Sequence, residues 1–458
     1  MVTAVADSAA QTIFAPATAP GRAALAIIRI SGPAAADVCR RLTGRAAPAP
    51  RQATLARLRD PRTAEILDEA LVVWFPAPAS FTGEDVLELQ VHGGRAVIGG
   101  ILEALADMPE LRPAAPGEFT RRAFANGQLD LTAVEGLADL IDAETRAQAR
   151  QALRQLDGAL GRLYQHWRRM LLGALARLEA EIDFAPEEDV PEDLLSSVRP
   201  DVQRMSAEIA AHLADGHRGE RLRAGLTVAV VGPPNAGKSS LVNRLARRDV
   251  AIVTPLPGTT RDVLEVQLDL AGYPVTLLDT AGLREAADVI EAEGVRRARE
   301  RAERADLKLI MFDGATWPTP DPATRALIDD AAVVTVNKSD LIELPGQLVI
   351  DGREALRLSC LTGDGVAALL EGLSERARAL MSLMGVGDEP LLTRARHRAA
   401  LQAAAEALAR FAAAPDDTEL ALMAEDLRLA ARALGRITGE VAVEDVLDRI
   451  FAEFCIGK

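Results

Sequence analysis

Cysteine is scarce in this sequence, whose 458 residues include only Cys39, Cys360 and Cys455, all far apart. An odd, widely spaced set does not make a disulfide framework and is typical of a protein in a reducing compartment. Long apolar runs are lacking too, since none approaches the ~18 residues that a membrane-spanning helix needs. The first residues, MVTAVADSAAQ, have neither the basic start nor the apolar core of a secretory signal. These absences predict a cytoplasmic protein.

Positively charged residues are fewer than negatively charged ones: 52 Lys and Arg stand against 67 Asp and Glu, which gives a net charge of −15. This balance argues against a nucleic-acid-binding protein that relies on bulk positive charge, and it leaves room for a local basic patch. One candidate is the arginine-rich stretch at 296–304, but Glu300 and Glu303 interrupt it. Alternating charge of this kind favours a solvated helix face instead.

The sequence changes character along its length, which predicts a multidomain α/β protein. Hydrophobic residues make up 49% and charged residues 26%, which excludes wholesale disorder. At ~150 residues per domain the length predicts about three domains. They are a mixed α/β N-terminal domain at 1–128, a helical domain formed by 129–220 and 381–458, and an inserted Ras-like P-loop α/β G domain at 221–380.

Hydrophobic patterning supports this division. Strand-like runs lie at 24–30, 69–75 and 85–93, and then at 226–232, 273–279, 307–313 and 331–337. The later runs alternate with helical segments, which predicts a parallel, doubly wound sheet. Between the two groups, apolar residues three and four apart predict long helices, interrupted by a loop at 185–193.

The strongest motif is a phosphate-binding P-loop at 232–239, GPPNAGKS, which matches G-x-x-x-x-G-K-[ST]. It follows an apolar strand and opens a helix, as the motif requires. Backbone amides and the helix N-terminus would surround the phosphates. Lys238 should reach the β and γ phosphates, and Ser239 should ligate Mg²⁺.

Two further motifs predict that the nucleotide is GTP. DTAG at 279–282 places the Asp279 carboxylate near Mg²⁺ and the Gly282 amide near the γ phosphate. NKSD at 337–340 resembles the guanine-binding N-K-x-D motif, in which a carboxylate such as Asp340 accepts from guanine N1–H and the exocyclic amine. Ser359 and Cys360 stand where such GTPases usually have Ser-Ala.

The residues predicted to contact GTP are Asn235, Ala236, Gly237, Lys238, Ser239, Ser240, Thr254, Pro255, Leu256, Pro257, Gly258, Thr259, Thr260, Asp279, Thr280, Ala281, Gly282, Asn337, Lys338, Ser339, Asp340, Ser359, Cys360 and Leu361.

The catalytic arrangement departs from that of Ras. Leu283 occupies the position at which Ras-like enzymes carry the glutamine that orients the attacking water. Asn235 resembles the asparagine of GTPases that use a bound K⁺ in place of an arginine finger, and the alternative is a loop-stabilising side chain. The predicted K⁺ ligands are Asn235, Thr254, Thr259 and the carbonyl of Leu256, and those of Mg²⁺ are Ser239 and Thr260.

These motifs together resemble one family. GPPNAGKSS, PGTTRD, DTAGLRE and NKSD are similar to the G-domain motifs of the tRNA modification GTPases of the MnmE (TrmE) family, which are K⁺-activated. Segments at 15–32, 81–94 and 112–131 and the terminal FCIGK resemble the same family, so the resemblance spans nearly the whole chain.

The resemblance implies a function. Members carry an N-terminal domain that binds folate and forms a constitutive homodimer, and a helical domain with an inserted G domain. With an FAD-containing partner, MnmG, in a heterotetramer, they modify C5 of the wobble uridine of certain tRNAs. A tetrahydrofolate such as 5-formyl-tetrahydrofolate supplies the one-carbon unit. The G domains dimerise across the nucleotide in a K⁺-dependent way.

The resemblance also implies residue roles. Arg29, Glu88, Gln128 and Lys458 fall at the folate-contacting positions. Glu88 suits the amide and amine edge of the pteridine, and cations suit the glutamyl tail. Gln128 replaces a residue that is commonly lysine, so it brings no charge.

Two residues are candidates for catalysis. Glu291 matches the family glutamate that positions the hydrolytic water through a second water, and the alternative is a solvated helix-face glutamate. Cys455 is either a thiol that acts at uridine C5 or a structural cysteine.

Two classes of function stay open at this point. The first is an enzyme of tRNA modification that hydrolyses GTP. The alternative is a regulatory GTPase, such as a ribosome-assembly switch, whose flanking domains only bind partners. The G-domain motifs do not separate the two, whereas the folate-like N-terminal segment and CIGK favour modification.

Overall fold

The computed structural model describes residues 11–184, 194–248, 250–252, 265–279, 305–343, 347–382, 390–415, 417–441, 447–448, 450–451, 454 and 457. The chain divides into two compact units. One comprises residues 1–138, 155–172 and 431–458, and the other comprises 139–154 and 173–430. None of the helices in these described ranges is long and apolar enough to cross a membrane.

The first unit contains a six-stranded sheet. Its elements are β1 (Thr12–Pro16), β2 (Leu25–Ser31), α1 (Ala35–Thr43), β3 (Thr54–Arg59), β4 (Ile66–Phe75), β5 (Val86–His92), α2 (Arg95–Ala106), β6 (Leu111–Pro113) and α3 (Glu118–Ala125). The strand order is β3-β4-β5-β2-β1-β6, and every neighbouring pair is antiparallel except β1 and β6.

Alternation of buried apolar residues explains these strands. In β2 the side chains of Ala26, Ile28 and Ile30 point to one face and are buried with Leu87 and Leu89 of β5. Helices α1 and α2 cover this face through residues that include Val38 and Ile101. The other face of β2 carries Arg29, which lies directly opposite Glu88 of β5.

Helices follow in the middle of the chain, as the sequence predicts. They are α4 (Leu131–Ile141), α5 (Arg146–Leu156), α6 (Ala159–Phe184), α7 (Leu194–Leu213) and α8 (Arg218–Ala224). The predicted loop at 185–193 lies outside the described residues.

The second unit contains a seven-stranded sheet. Its elements are β7 (Leu226–Val231), α9 (Lys238–Leu245), β8 (Glu265–Leu270), β9 (Tyr273–Asp279), β10 (Leu307–Asp313), a 3₁₀ turn (Gly314–Thr316), α10 (Pro322–Arg325), β11 (Ala332–Asn337), β12 (Val349–Ile350), β13 (Arg353–Arg357) and α11 (Val366–Ser382). The order is β12-β13-β11-β10-β7-β9-β8.

This sheet is parallel only at its centre. Strands β13, β11, β10, β7 and β9 are parallel, as predicted, but β8 and β12 join the two edges antiparallel. Each edge strand meets its neighbour through a two-residue turn, Ala271-Gly272 or Asp351-Gly352, in which both residues have positive φ. Such turns match the twist of a hairpin and so force antiparallel pairing.

Helices resume after the sheet, as predicted, with α12 (Ala395–Ala413) and α13 (Leu420–Thr438). Helix α12 packs against α7. The Arg398 guanidinium donates to Asp215 Oδ1 at 2.7 Å and to Glu220 Oε2 at 3.2 Å. Segments from both parts of the predicted helical domain therefore touch within the second unit, while the boundaries at 128, 220 and 380 stay predictions.

Candidate functional site

The P-loop lies between β7 and α9. At Gly237 the chain has a φ of +101°, and a Cβ there would lie 2.1 Å from Asn337 Nδ2, so only glycine fits. Ser239 and Ser240 lie in the first turn of α9. The unsatisfied amides and positive dipole end of this turn suit an anion.

Lys238 is held inside its own loop. The side chain is buried, and its Nζ donates to the carbonyl oxygens of Gly232 at 2.7 Å and Pro233 at 2.8 Å. The Lys238 ammonium therefore lies at the loop whose amides suit a phosphate, and it can donate to phosphate oxygens there.

Asn235 lies exposed at the tip of the loop with a φ of +64°. Among the residues that the structure describes, none forms a hydrogen bond with its carboxamide. The loop-stabilising alternative therefore lacks a side-chain contact in this part of the chain, although asparagine does tolerate the left-handed backbone.

Asn337 joins three predicted segments. Its Nδ2 donates to Ala236 O of the P-loop at 2.7 Å, and its Oδ1 accepts from the Cys360 amide at 2.9 Å. The asparagine is buried. The structure thus brings the P-loop, the NKSD segment and the 359–361 loop together at the carboxyl ends of parallel strands, where nucleotides bind in such sheets.

The predicted base-reading carboxylate is positioned by a serine. Asp340 Oδ1 accepts from Ser359 Oγ at 2.5 Å, and the same Oγ accepts from the Thr362 amide at 3.1 Å. The backbone amide of Ser339 donates a hydrogen bond to Leu358 O at 3.1 Å. Lys338, at a φ of +64°, donates through Nζ to Asp313 Oδ2 at 2.5 Å.

Cys360 and Leu361 lie on a loop that Arg244 holds. Arg244 donates to Cys360 O at 2.7 Å and to Leu361 O at 2.5 Å. Burial raises the pKa of the Cys360 thiol to about 11, which the nearby Arg244 lowers only in part. The thiol is therefore protonated at neutral pH and serves as a small apolar group, as alanine does at that position in other GTPases.

Sequence reasoning missed Arg244 and Asp313. Each of them contacts residues that lie far away in the sequence, so local sequence patterns gave little indication of its role. Asp313 is a carboxylate at the end of a parallel strand.

Several predicted residues lie outside the described part of the chain. They are Thr254, Pro255, Leu256, Pro257, Gly258, Thr259, Thr260, Thr280, Ala281, Gly282, Leu283, Glu291, Cys455 and Lys458, as does the arginine-rich stretch at 296–304. Asp279 ends β9 opposite Val230 of β7, and its side chain is not among those described. Among the described residues, no cluster of three His, Cys, Asp or Glu forms a metal site.

The first unit holds the predicted folate residues. Arg29 donates through Nε and Nη2 to Glu88 Oε1 at 2.9 and 2.8 Å, and both side chains are largely buried. The guanidinium lies 5.2 Å from the ring centroid of Phe81 and 5.8 Å from that of Phe119. Cation–π contact and a charge-assisted pair thus make a polar, aromatic-walled surface on β2 and β5.

Gln128 and Gly457 each lie close to other residues of the first unit. A Cβ on Gly83 would lie 3.1 Å from Gln128 Nε2, so Gln128 borders the loop that carries Phe81. Gly457 lies against the backbone of Pro16 at the end of β1, since a Cβ there would lie 1.9 Å from Pro16 O.

A buried ion network supports the same loop, and sequence reasoning did not identify it. Arg122 donates to Glu84 Oε2 at 3.1 Å and to Glu118 Oε1 at 3.1 Å. Glu84 accepts from Ser31 Oγ at 2.7 Å, and Arg112 forms a bidentate pair with Glu118. Because Glu84 lies in the same loop as Phe81, these ion pairs connect that loop to α3.

Glu118 makes this network sensitive to pH. Burial alone would raise the pKa of Glu118, but hydrogen bonds from Arg112, the Ala115 amide and Arg122 outweigh it and lower the pKa. The stabilisation is present above the unfolded-chain pKa of about 4.3 and is lost as the pH falls through the lower folded-state value. We expect Glu118→Gln to lower the unfolding temperature most at neutral pH and progressively less in acid.

Thermal unfolding of both proteins from neutral pH to below pH 4 measures this difference. The exposed Glu65→Gln variant is the control and should unfold like the wild type. A difference between wild type and Glu118→Gln that stays constant over the range would contradict the ion-pair explanation.

Models of two protein families match consecutive parts of the chain. The family model described as the GTP-binding protein TrmE N-terminus matches residues 12–128, and that of the MnmE helical domain matches residues 131–455. The G domain of the T. maritima FeoB iron transporter aligns with 33% of this chain and 98% of its own, at 22% identity and a TM-score of 0.23. That score is too low to support any conclusion.

Relatives match almost end to end. The tRNA modification GTPase MnmE of Parvibaculum lavamentivorans is 58% identical over 449 residues, which cover 98% of this chain and 100% of that protein. The protein of the same name from Rhodospirillum rubrum is 57% identical, covering 98% and 99%. The human mitochondrial 5-taurinomethyluridine-[tRNA] synthase subunit GTPB3 is 52% identical, covering 98% and 93%. With this identity over nearly its full length, the chain belongs to the MnmE family of tRNA modification GTPases and is an enzyme, a GTP hydrolase involved in tRNA modification.

Proposed function

We propose that this GTPase acts in the modification of C5 of the wobble uridine of tRNA, in the cytoplasm and with the FAD-containing partner MnmG. It would work as a homodimer that forms a heterotetramer with that partner. The names of the relatives support the proposal, because the bacterial ones refer to tRNA modification and the human one to a substituted uridine in tRNA.

Binding of GTP follows from the P-loop and the base-reading segment. Lys238 would exchange the carbonyls of Gly232 and Pro233 for phosphate oxygens, which carry full negative charge. Asp340, held by Ser359, would accept two hydrogen bonds from guanine. Ser339 and the exposed Leu361 would lie beside the same base.

Two cations fit the chemistry of the loop. Ser239, in the first turn of α9, and Thr260 would hold Mg²⁺. Asn235 would hold K⁺ with Thr254, Leu256 and Thr259, and its exposed carboxamide fits that role. These ions would supply positive charge at the phosphates, whereas the apolar Leu283 has no group that could stabilise the transition state. Glu291 would position the attacking water.

The observation that carries the modification function is the Arg29–Glu88 pair, whose guanidinium lies beside two aromatic rings. Both bonds from Arg29 end on Glu88 Oε1, and no described residue donates to Oε2, which suits a further donor such as the pteridine edge. Gln128 and Lys458 would complete a site for 5-formyl-tetrahydrofolate, the donor of the one-carbon unit. Cys455, which is close to Lys458 in the sequence, would be the thiol that acts at uridine C5.

Equilibrium dialysis of the full-length protein with 5-formyl-tetrahydrofolate tests this proposal. We expect the wild type to bind and Glu88→Gln to bind about 10-fold more weakly, because a charge-assisted hydrogen bond is worth about 1.5–3 kcal/mol. The control is Glu103→Gln, an exposed glutamate on α2, which should bind like the wild type. If the wild type does not bind folate, the regulatory or ribosome-assembly switch becomes the better explanation.

A further inference from the structure

Helix α5 carries a row of three arginines, Arg146, Arg150 and Arg154, which we name the arginine row. All three are exposed. Their spacing of four residues places them about 6 Å apart along the axis and within an arc of about 80°. The opposite side of α5 is buried through Ala152 and Gln155.

The helix is held firmly by its first turn. Thr145 and Gln148 form a capping box, in which the Gln148 Oε1 accepts from the Thr145 amide at 3.1 Å and Thr145 Oγ1 accepts from the Gln148 amide at 3.4 Å. Gln148 Nε2 also donates to Arg223 O at 3.1 Å. The arginine row is therefore presented on a helix with a fixed orientation.

The charge of α5 is unusual for this acidic chain. The helix has three arginines and no carboxylate. Among the described helices of eight or more residues, only α9 also lacks Asp and Glu, and α9 follows the P-loop. A solvated surface helix mixes both signs, as α13 does where Arg428 pairs with Glu425.

Two arginines of the row make no polar contacts with the described part of the protein. The structure gives neither Arg146 nor Arg150 a hydrogen bond or ion pair with any described residue. Arg154 does interact within the protein. A guanidinium presents a planar fork of donors that matches phosphate oxygens in pairs, which makes exposed arginines suited to a polyanion.

We propose that the arginine row binds the sugar–phosphate backbone of tRNA, an inference that rests on the proposed function in tRNA modification. A line of cations along a helix fits a linear polyanion. It would position the RNA without reading its sequence. The net charge of −15 repels RNA elsewhere, so a local positive row would also orient it. An anionic membrane fits less well, because Leu153 is the one large apolar side chain of α5 that is exposed beside the row, which is too little apolar surface to insert into a bilayer.

The test uses the full-length protein and fluorescently labelled bulk tRNA, with the dissociation constant measured from about 50 to 200 mM KCl. The variants are R146Q/R150Q/R154Q and, because Arg154 also has a role within the protein, R146Q/R150Q. The control R95Q/R204Q/R410Q removes the same charge from three exposed arginines on other helices.

We expect the triple variant to bind tRNA at least about 10-fold more weakly at the lowest salt. The slope of log affinity against log salt should fall by about 0.7 to 0.9 for each lost phosphate contact, and by about 2 overall. The double variant should show most of this loss, while the control stays within about 2-fold of the wild type. GTP turnover in both variants should match the wild type, since α5 carries none of the predicted nucleotide residues.

Four results would overturn the inference. The first is wild-type affinity and slope in both variants, and the second is no tRNA binding by the wild type. The third is an equal loss in the control, which would indicate bulk charge. The fourth is unchanged tRNA binding with loss of binding to phosphatidylglycerol vesicles, which would assign the row to a lipid surface. Folate binding and GTP turnover do not depend on α5, so failure of the proposed function would appear in those measurements instead.

Discussion

GTP turnover should be about 10²-fold slower in Na⁺ than in K⁺ at saturating Mg²⁺. Leu283 offers no group that orients water, so charge that develops on the phosphates needs another source of stabilisation. Removing one preorganised electrostatic contact of this kind typically costs 10²–10³-fold in rate. Na⁺ is smaller than K⁺ and would not reach all the ligands of a site built for the larger ion.

Asn235→Ala should abolish the preference for K⁺. We expect turnover of this variant in K⁺ to fall to the wild-type value in Na⁺, with GTP affinity little changed, because the phosphates keep Lys238 and the loop amides. Asn235→Asp retains an oxygen ligand and should keep a response to K⁺. Steady-state turnover is measured across a protein-concentration series in KCl, NaCl and choline chloride.

Equal wild-type rates in KCl and NaCl, at high protein concentration, would contradict the cation site. In that case the water is organised by other residues, and the regulatory-switch alternative gains weight. A K⁺ preference that survives in Asn235→Ala would mean that another ligand holds the ion.

Asp340→Asn should change the nucleotide preference from guanine to xanthine. The variant loses two charge-assisted hydrogen bonds, from guanine N1–H and the exocyclic amine, each worth about 1.5–3 kcal/mol. We expect GTP affinity to fall by about 10²-fold or more. The new amide can donate to the C2 carbonyl of xanthine, so XTP should bind more tightly than GTP.

The structure makes this variant a clean test. Asparagine keeps the Oδ1 atom that accepts from Ser359 Oγ, so the loop should hold its shape. The control is Asp364→Asn in the loop that carries Ser359, since among the described residues its carboxylate accepts a hydrogen bond only from Thr362 Oγ1. Competition binding with GTP and XTP measures the preference. An unchanged preference in Asp340→Asn would show that another group reads the base.

Much of the fold could be predicted from local pattern. Alternation of apolar residues located β2 and β5, because burial on one face has a period of two. The central strands of the second sheet are buried on both faces and were located instead as short continuous apolar runs between helical segments. The antiparallel edge β12–β13 was missed, although Asp351-Gly352 is a turn pair typical of hairpins. A two-residue signal beside a two-residue strand is too short for periodicity to detect.

The two candidate sites differ in how much the sequence revealed. The P-loop is a contiguous motif, so the backbone that surrounds phosphate could be recognised directly, and Asp340 followed from a four-residue match. Arg29 and Glu88 are 59 residues apart, and only the resemblance to a family marked them. The Arg122–Glu84–Glu118 network had no sequence signal, since ion pairs between separate elements depend on packing.

The nucleotide chemistry, the order of α and β segments and the family could all be recognised without coordinates, because each depends on residues adjacent in the chain or on overall similarity. Only the folded chain shows which distant groups meet: Asn337 with Ala236 across 101 residues, Arg29 with Glu88, and Arg244 with the 360–361 loop. It also shows that the arginines of α5 lie on the exposed side of that helix. Local motifs act through short-range backbone geometry, whereas these contacts depend on strand register and packing, which a linear pattern does not encode.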